Sequence, residues 1–167
     1  LVASILKGCE WQMEAFLDET LREYEDIGLS QDNLIKFIFI LQDNHKKEMS
    51  AIEAADAELE KKNRDRIKAA LKSLKDFLIN AHLKNYYKDG NRSFIPLFFI
   101  GYHLFHKKIS TEDVNNFFTN FDTKNTEHSR IEKWIYHSLI NGVFKSKGAG
   151  WIPYKTGIRK LSAKMQD

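Results

Sequence analysis

Six histidines and one cysteine are the side chains of this sequence best suited to metal or nucleophilic chemistry. His103 and His106 stand three positions apart within an apolar run, so on a helix their rings share a face. A zinc or di-iron centre needs carboxylates or further histidines converging there, and neither a Glu-x-x-His nor a His-Glu-x-x-His arrangement is present. The pair therefore reads as ordinary buried or exposed histidines, and no metal ligand is assigned. Cys9 has no flanking pattern and reads as an ordinary helix residue. Lys155-Thr156-Gly157 matches a tripeptide of the β-lactamases, but that tripeptide counts only beside a Ser-x-x-Lys partner in a β context. No catalytic residue is assigned, and no cofactor is implied.

Lys147-Gly148-Ala149-Gly150, ahead of a helical pattern, resembles a phosphate cradle only in part. A P-loop needs Gly-x-x-x-x-Gly-Lys-Ser/Thr after a strand, and a dinucleotide fingerprint needs three spaced glycines. What survives is an anion contact: glycine-freed backbone donors, a helix start and Lys155 together holding one phosphate. The competing and favoured reading is a loop whose Trp151, Ile152 and Tyr154 anchor the last helix on the core.

Charge is divided along the chain. Residues 1–60 carry 5 Lys and Arg against 14 Asp and Glu, whereas residues 61–167 carry 21 against 9. Between Glu132 and Asp167 there is no acid, while Lys145, Lys147, Lys155, Arg159 and Lys160 are all basic. Such a field attracts nucleic acid or an acidic partner surface; alternatively, the acidic half packs beside the basic half, or both are solvated faces. One cysteine excludes an internal disulfide and fits a cytoplasmic setting. No signal peptide is visible in Leu1–Lys7. The most apolar run, Phe94 to Phe105, is far short of the ~20 residues that a bilayer requires.

The elements that would position these residues are helical. Apolar content of 43% and only two prolines point to a packed core without the many tight turns of an all-β fold. Met13, Phe16, Leu17, Leu21 and Tyr24 recur at helical spacing, and Gly28 stands where a helix stops. Ser30 caps a second helix through Leu41, and Ser50 with Glu53 forms a capping box for a third. From there to Tyr87 nothing obliges a break, although the charged stretch Glu58 to Arg66 reads either as exposed helix or as a connector. Asp89-Gly90-Asn91 is a turn, and Pro96 suits the first turn of a helix that is apolar nearly all round to Phe105. Ser110 to Asp113 opens a helix with Val114, Phe117, Phe118 and Phe121 on one face. Ile131, Trp134, Ile135, Leu139 and Val143 mark another, ending near Phe144, and Tyr154 to Met165 a last one. The expected fold is all-α: an irregular helical bundle of about six to eight helices with one central, fully buried helix. At 167 residues it is expected to be a single domain over 1–167, cut from a larger protein because no initiator Met is present.

The stretch from Trp134-Ile135-Tyr136-His137-Ser138-Leu139 through Gly148-Ala149-Gly150-Trp151 to Thr156-Gly157-Ile158-Arg159-Lys160 resembles a known region. It is similar to the helical region of bacterial proteins that carry the ParB/sulfiredoxin-like domain of GmrSD-type restriction systems. Ser93-Phe94-Ile95-Pro96-Leu97 is similar to the upstream part of that region, so the likeness covers mainly residues 93–160. That family's Asp-Gly-Gln-Gln-Arg-type hallmark is absent; Asp89-Gly90-Asn91-Arg92 echoes it in the wrong context, and no HNH nuclease follows. The resemblance implies a non-catalytic helical domain of a phage-defence protein, following a nucleotide-handling domain, with no catalytic residue carried over.

The leading expectation is thus a helical domain that touches DNA phosphates through Lys145, Lys147, Lys155, Arg159 and Lys160, or that passes a signal between domains. The alternative is a protein-interaction or oligomerisation module whose basic half docks on an acidic surface. Expected partners are DNA, the preceding domain of the same protein or a second copy of the chain, and no membrane.

Overall fold

The computed structural model describes residues 13–42, 54–88 and 92–144, with side chains described over 15–42, 62–88 and 92–144. Among the described residues every regular element is helical. They are α1 (Met13–Tyr24), a 3-10 turn (Glu25–Ile27), α2 (Gln31–Leu41), α3 (Ala54–Asn80), α4 (Lys84–Lys88), α5 (Ile95–His106), α6 (Thr111–Asn116) and α7 (Thr126–Ile140). The expected all-helical bundle is what the chain forms.

Local signals set most starts and stops. Ser30 Oγ accepts a hydrogen bond from Asn33 N at 3.2 Å and begins α2, and Ser110 with Asp113 forms a reciprocal capping box on α6. Asn125 caps α7 by accepting from Glu127 N and His128 N. Gly28, with φ +72°, closes the turn after α1; a side chain there would also meet Tyr87 O at 2.8 Å, so glycine is needed twice over.

α5 is the centre. Pro96 through Phe105 is buried without interruption, as its all-round apolar pattern predicts. α2, α3 and α7 pack around it. α2 approaches so closely at Gly101 that a Cβ there would lie 2.3 Å from Phe37 Cε2. α3 contributes Ile67, Leu71, Leu74 and Leu78, the stripe read from sequence, together with Phe77. Its charged stretch is part of one continuous helix, and Arg66 closes the far end of α5: it donates to Phe105 O at 2.6 Å, Lys107 O at 2.5 Å and Ile109 O at 3.0 Å. Carbonyls at a helix C-terminus lack partners within the helix, and a guanidinium with five donors supplies them. α6 lies on α3, held by Ser73 Oγ donating to Val114 O and by Asn80 Nδ2 donating to Phe118 O at 3.0 Å.

Three boundaries differ from the sequence reading. The helix expected to run on to Tyr87 ends at Asn80, because His82 takes a left-handed conformation, with φ 55°. Leu83 N then donates to Leu78 O and His82 N to Ile79 O, a paired closure usually built on glycine. α6 stops at Asn116, so Phe117, Phe118 and Phe121 come from the turn that follows it rather than from one helix face. α7 stops at Ile140, not near Phe144, where Gly142 turns left-handed with φ 60°. The Ser50–Glu53 capping box, the turn at 89–91 and the last expected helix lie outside the described residues.

Candidate functional site

The residues expected to meet phosphate, Lys145, Lys147, Lys155, Arg159 and Lys160, lie outside the described residues, as does Cys9. The histidine pair is described, and the structure splits it. His103, fully buried, places Nε2 2.8 Å from Glu127 Oε1 in the first turn of α7. His106 Nε2 lies 2.8 Å from Leu41 O at the end of α2. One ring ties α5 to α7 and the other ties α5 to α2, so the two do not converge on a common point. Among the described residues no group of three or more His, Cys, Asp and Glu side chains is placed to hold a metal ion.

Glu127 is the polar junction of this region. Lys107 Nζ reaches the same Oε1 at 2.6 Å. The hydrogen bond from His103 and the adjacent Lys107 ammonium, against the cost of burial, bring the Glu127 carboxyl down to about 2. Among the described residues buried His103 Nδ1 has no hydrogen-bond partner, and Nε2 is the ring nitrogen that donates to the carboxylate. His128 sits among Phe117, Phe118 and Phe121, stacked on the last at 5.5 Å, and its Nδ1 accepts from Asp122 N. Burial pulls its pKa below the ordinary histidine value.

Part of the charge division is internal. Asp26, beside the C-terminus of α1, pairs with Lys75 of α3 at 3.0 Å and Lys84 of α4 at 2.7 Å. Burial opposes ionisation of Asp26, but these two ammonium groups outweigh it and hold the carboxyl below its usual range. Glu19 lies 3.7 Å from Lys68. The acidic first helix therefore faces basic side chains of the same molecule.

α7 carries several of the cations that have no acid beside them among the described residues. Arg130, Lys133 and His137 recur at helical spacing on its exposed side, and none forms an ion pair among the described residues. The same side continues into Ile140, 80% exposed, and Val143, 57% exposed. Their sequence neighbours Leu139, Gly142 and Phe144 line, with Pro96 and Ser138, a cleft of about 170 Å³. At its rim Arg92 lies over the Tyr86 ring, 4.7 Å from the centroid. Sequence reasoning missed this surface. Ile140 was legible as an apolar residue off the Ile131–Ile135–Leu139 stripe, but Val143 belongs to that stripe only if the helix continues, and Gly142 ends it.

No protein-family model, curated protein or solved structure matches the chain.

Proposed function

We propose that the chain is a non-catalytic helical module that binds another protein through the exposed end of α7. The observation that carries this is the pair Ile140 and Val143, two large aliphatic side chains left in water three positions apart at the end of α7. Isolated exposed aliphatics are ordinary, whereas two at one helix end supply the apolar centre that a protein contact needs. Arg130 and Lys133 on the same helix, and the acid-free stretch from 145 to 166, make an acidic surface the complementary partner. On the resemblance to GmrSD-type restriction proteins, that partner is the nucleotide-handling domain of the same protein.

A second reading is DNA-backbone contact, favoured by one observation. Arg130 and Lys133 are exposed without ion pairs among the described residues, and the chain runs 34 residues from 133 to 166 with no acid, including Lys145, Lys147, Lys155, Arg159 and Lys160. A photo-cross-linking residue in place of Ile140 separates the two when installed in the full-length protein in its own cells, with position 124 as control. Protein adducts specific to position 140 support the interaction module, and nucleic-acid adducts support the second reading. Absence of any adduct above the control sinks the first reading. Anisotropy with a ~20-base-pair duplex over a salt series tests the second independently, since phosphate contact weakens steeply with salt.

A further inference from the structure

We infer that His128 is a proton-operated latch: a second proton on its ring frees the turn 117–125 from the start of α7 while the rest of the bundle stays closed.

The hydrogen bonds of the described histidines single it out. A backbone N–H only donates, so the 3.2 Å contact from Asp122 N to His128 Nδ1 exists only while that nitrogen keeps its lone pair. Protonation sets two N–H groups against each other, and the bond is lost. His103 Nε2 faces the Glu127 carboxylate and His106 Nε2 faces the Leu41 carbonyl. Both of those rings donate, and an imidazolium still makes the same bonds. His82 and His137 are exposed. Among the described residues, then, His128 alone ties two segments together by a bond that a proton abolishes.

The surroundings do not accept the charge. The ring is 5% exposed and stacked on Phe121 at 5.5 Å, with Phe117 at 5.0 Å and Phe118 at 5.1 Å. Aromatic faces attract a cation but do not replace its hydration. Asp122 in the turn and Glu127 on α7 favour the imidazolium. Glu127 is already committed to His103 and to Lys107, whose ammonium also lies 5.4 Å from the Phe117 ring. From α3 comes the Lys72–Asp76 pair, bound to Thr119 in the same turn. Burial outweighs the attractions and holds the His128 ring below the ordinary histidine value.

The bond also closes a chain of local contacts. Asp122 O accepts from Asn125 N at 3.0 Å, and Asn125 Oδ1 accepts from Glu127 N and His128 N to cap α7. Phe118 and Phe121 of the turn lie against Phe77 of α3, at 4.9 and 6.2 Å, so opening uncovers aromatic surface. The unfolded imidazole titrates near 6.5 and the folded one lower, so the latch is closed above pH 6.5 and yields as pH falls through the folded value. Glu127, which holds α5 to α7, keeps its charge to about 2, so the turn opens first.

The test is amide hydrogen exchange of the whole chain, read by residue from about pH 7.5 to about pH 5 and corrected for intrinsic rates, beside the titration of the His128 ring carbons. Protection of the Asp122 amide is expected to fall ~10-fold per pH unit below the His128 midpoint, the slope of one proton, while Ile100 and Leu104 of α5 keep theirs. His128→Asn, whose side-chain oxygen accepts from Asp122 N at every pH, is expected to flatten that slope; a slope that survives assigns the proton to another group and overturns the latch. If this variant does not fold, the unaltered protein still decides, because ring titration and loss of protection must share one midpoint. Asp122 protection that stays flat across the ring titration overturns the inference. So does a ring that remains neutral to about pH 5, or a parallel loss at Ile100 and Leu104, which marks global unfolding.

Discussion

His103 and Glu127 are 24 positions apart in sequence and meet at 2.8 Å, joining the fully buried face of α5 to the first turn of α7. The imidazole donates through Nε2 to a carboxylate that also accepts from Lys107 Nζ. A carboxylate at a helix start is further favoured by the dipole of α7. The junction is thus a charge-assisted network between α5 and α7, and it fixes the place from which α7 sets out toward its exposed end.

Stability should follow the ionisation of Glu127. Its folded value, about 2, lies below the unfolded value of 4.5, so its contribution is present above pH 4.5 and is lost as pH falls toward 2. Glu127→Gln is expected to cost about 1–2 kcal/mol at pH 7, since the hydrogen bonds survive only in neutral form. Urea unfolding of both proteins checks this: their midpoints should differ at pH 7 and converge near pH 2. A gap that stays constant over that range would show that Glu127 is not ionised in the fold.

Gly101 and Phe37 form a size-matched pair between α5 and α2. A methyl group at 101 would lie 2.3 and 2.4 Å from two ring carbons of Phe37 and 3.1 Å from Leu74 Cδ1. Gly101→Ala is expected to destabilise by about 1–3 kcal/mol through overpacking, although alanine is the better helix former. Phe37→Leu in the same protein should return part of that loss. The measurement is a double-mutant cycle, and strictly additive effects would exclude the contact as the cause.

His82 should be replaceable with profit. It holds φ 55° at the end of α3, a conformation that costs a side chain about 1–2 kcal/mol. His82 is exposed, so no packing is lost on its removal. His82→Gly is expected to stabilise by roughly 0.5–1 kcal/mol, after the larger entropy of glycine in the unfolded chain is deducted. Thermal unfolding gives the sign; a lower midpoint would mean that the imidazole itself contributes to the closure.

The legible features share a length scale. Ser30, Ser110 and Gly28 act on backbone groups within one helical turn, so their residue types alone announce them. The apolar run of α5 leaves no polar face to turn outward, and its burial follows from composition. His82 carries no such mark, because histidine seldom takes the left-handed conformation and does so here where Leu83 N is drawn back to Leu78 O.

Sequence by itself determined the class of fold, the identity of the central helix and the α3 stripe, all consequences of periodicity and capping over about four residues. Tertiary structure decided which side chains meet: Arg66 with the carbonyls at 105, 107 and 109, His103 with Glu127, and Asp26 with Lys75 and Lys84. It also decided that Ile140 and Val143 stay in water. Those outcomes depend on the rotation and crossing of whole helices, which local periodicity does not contain, because many helices must pack at once before any one azimuth is set.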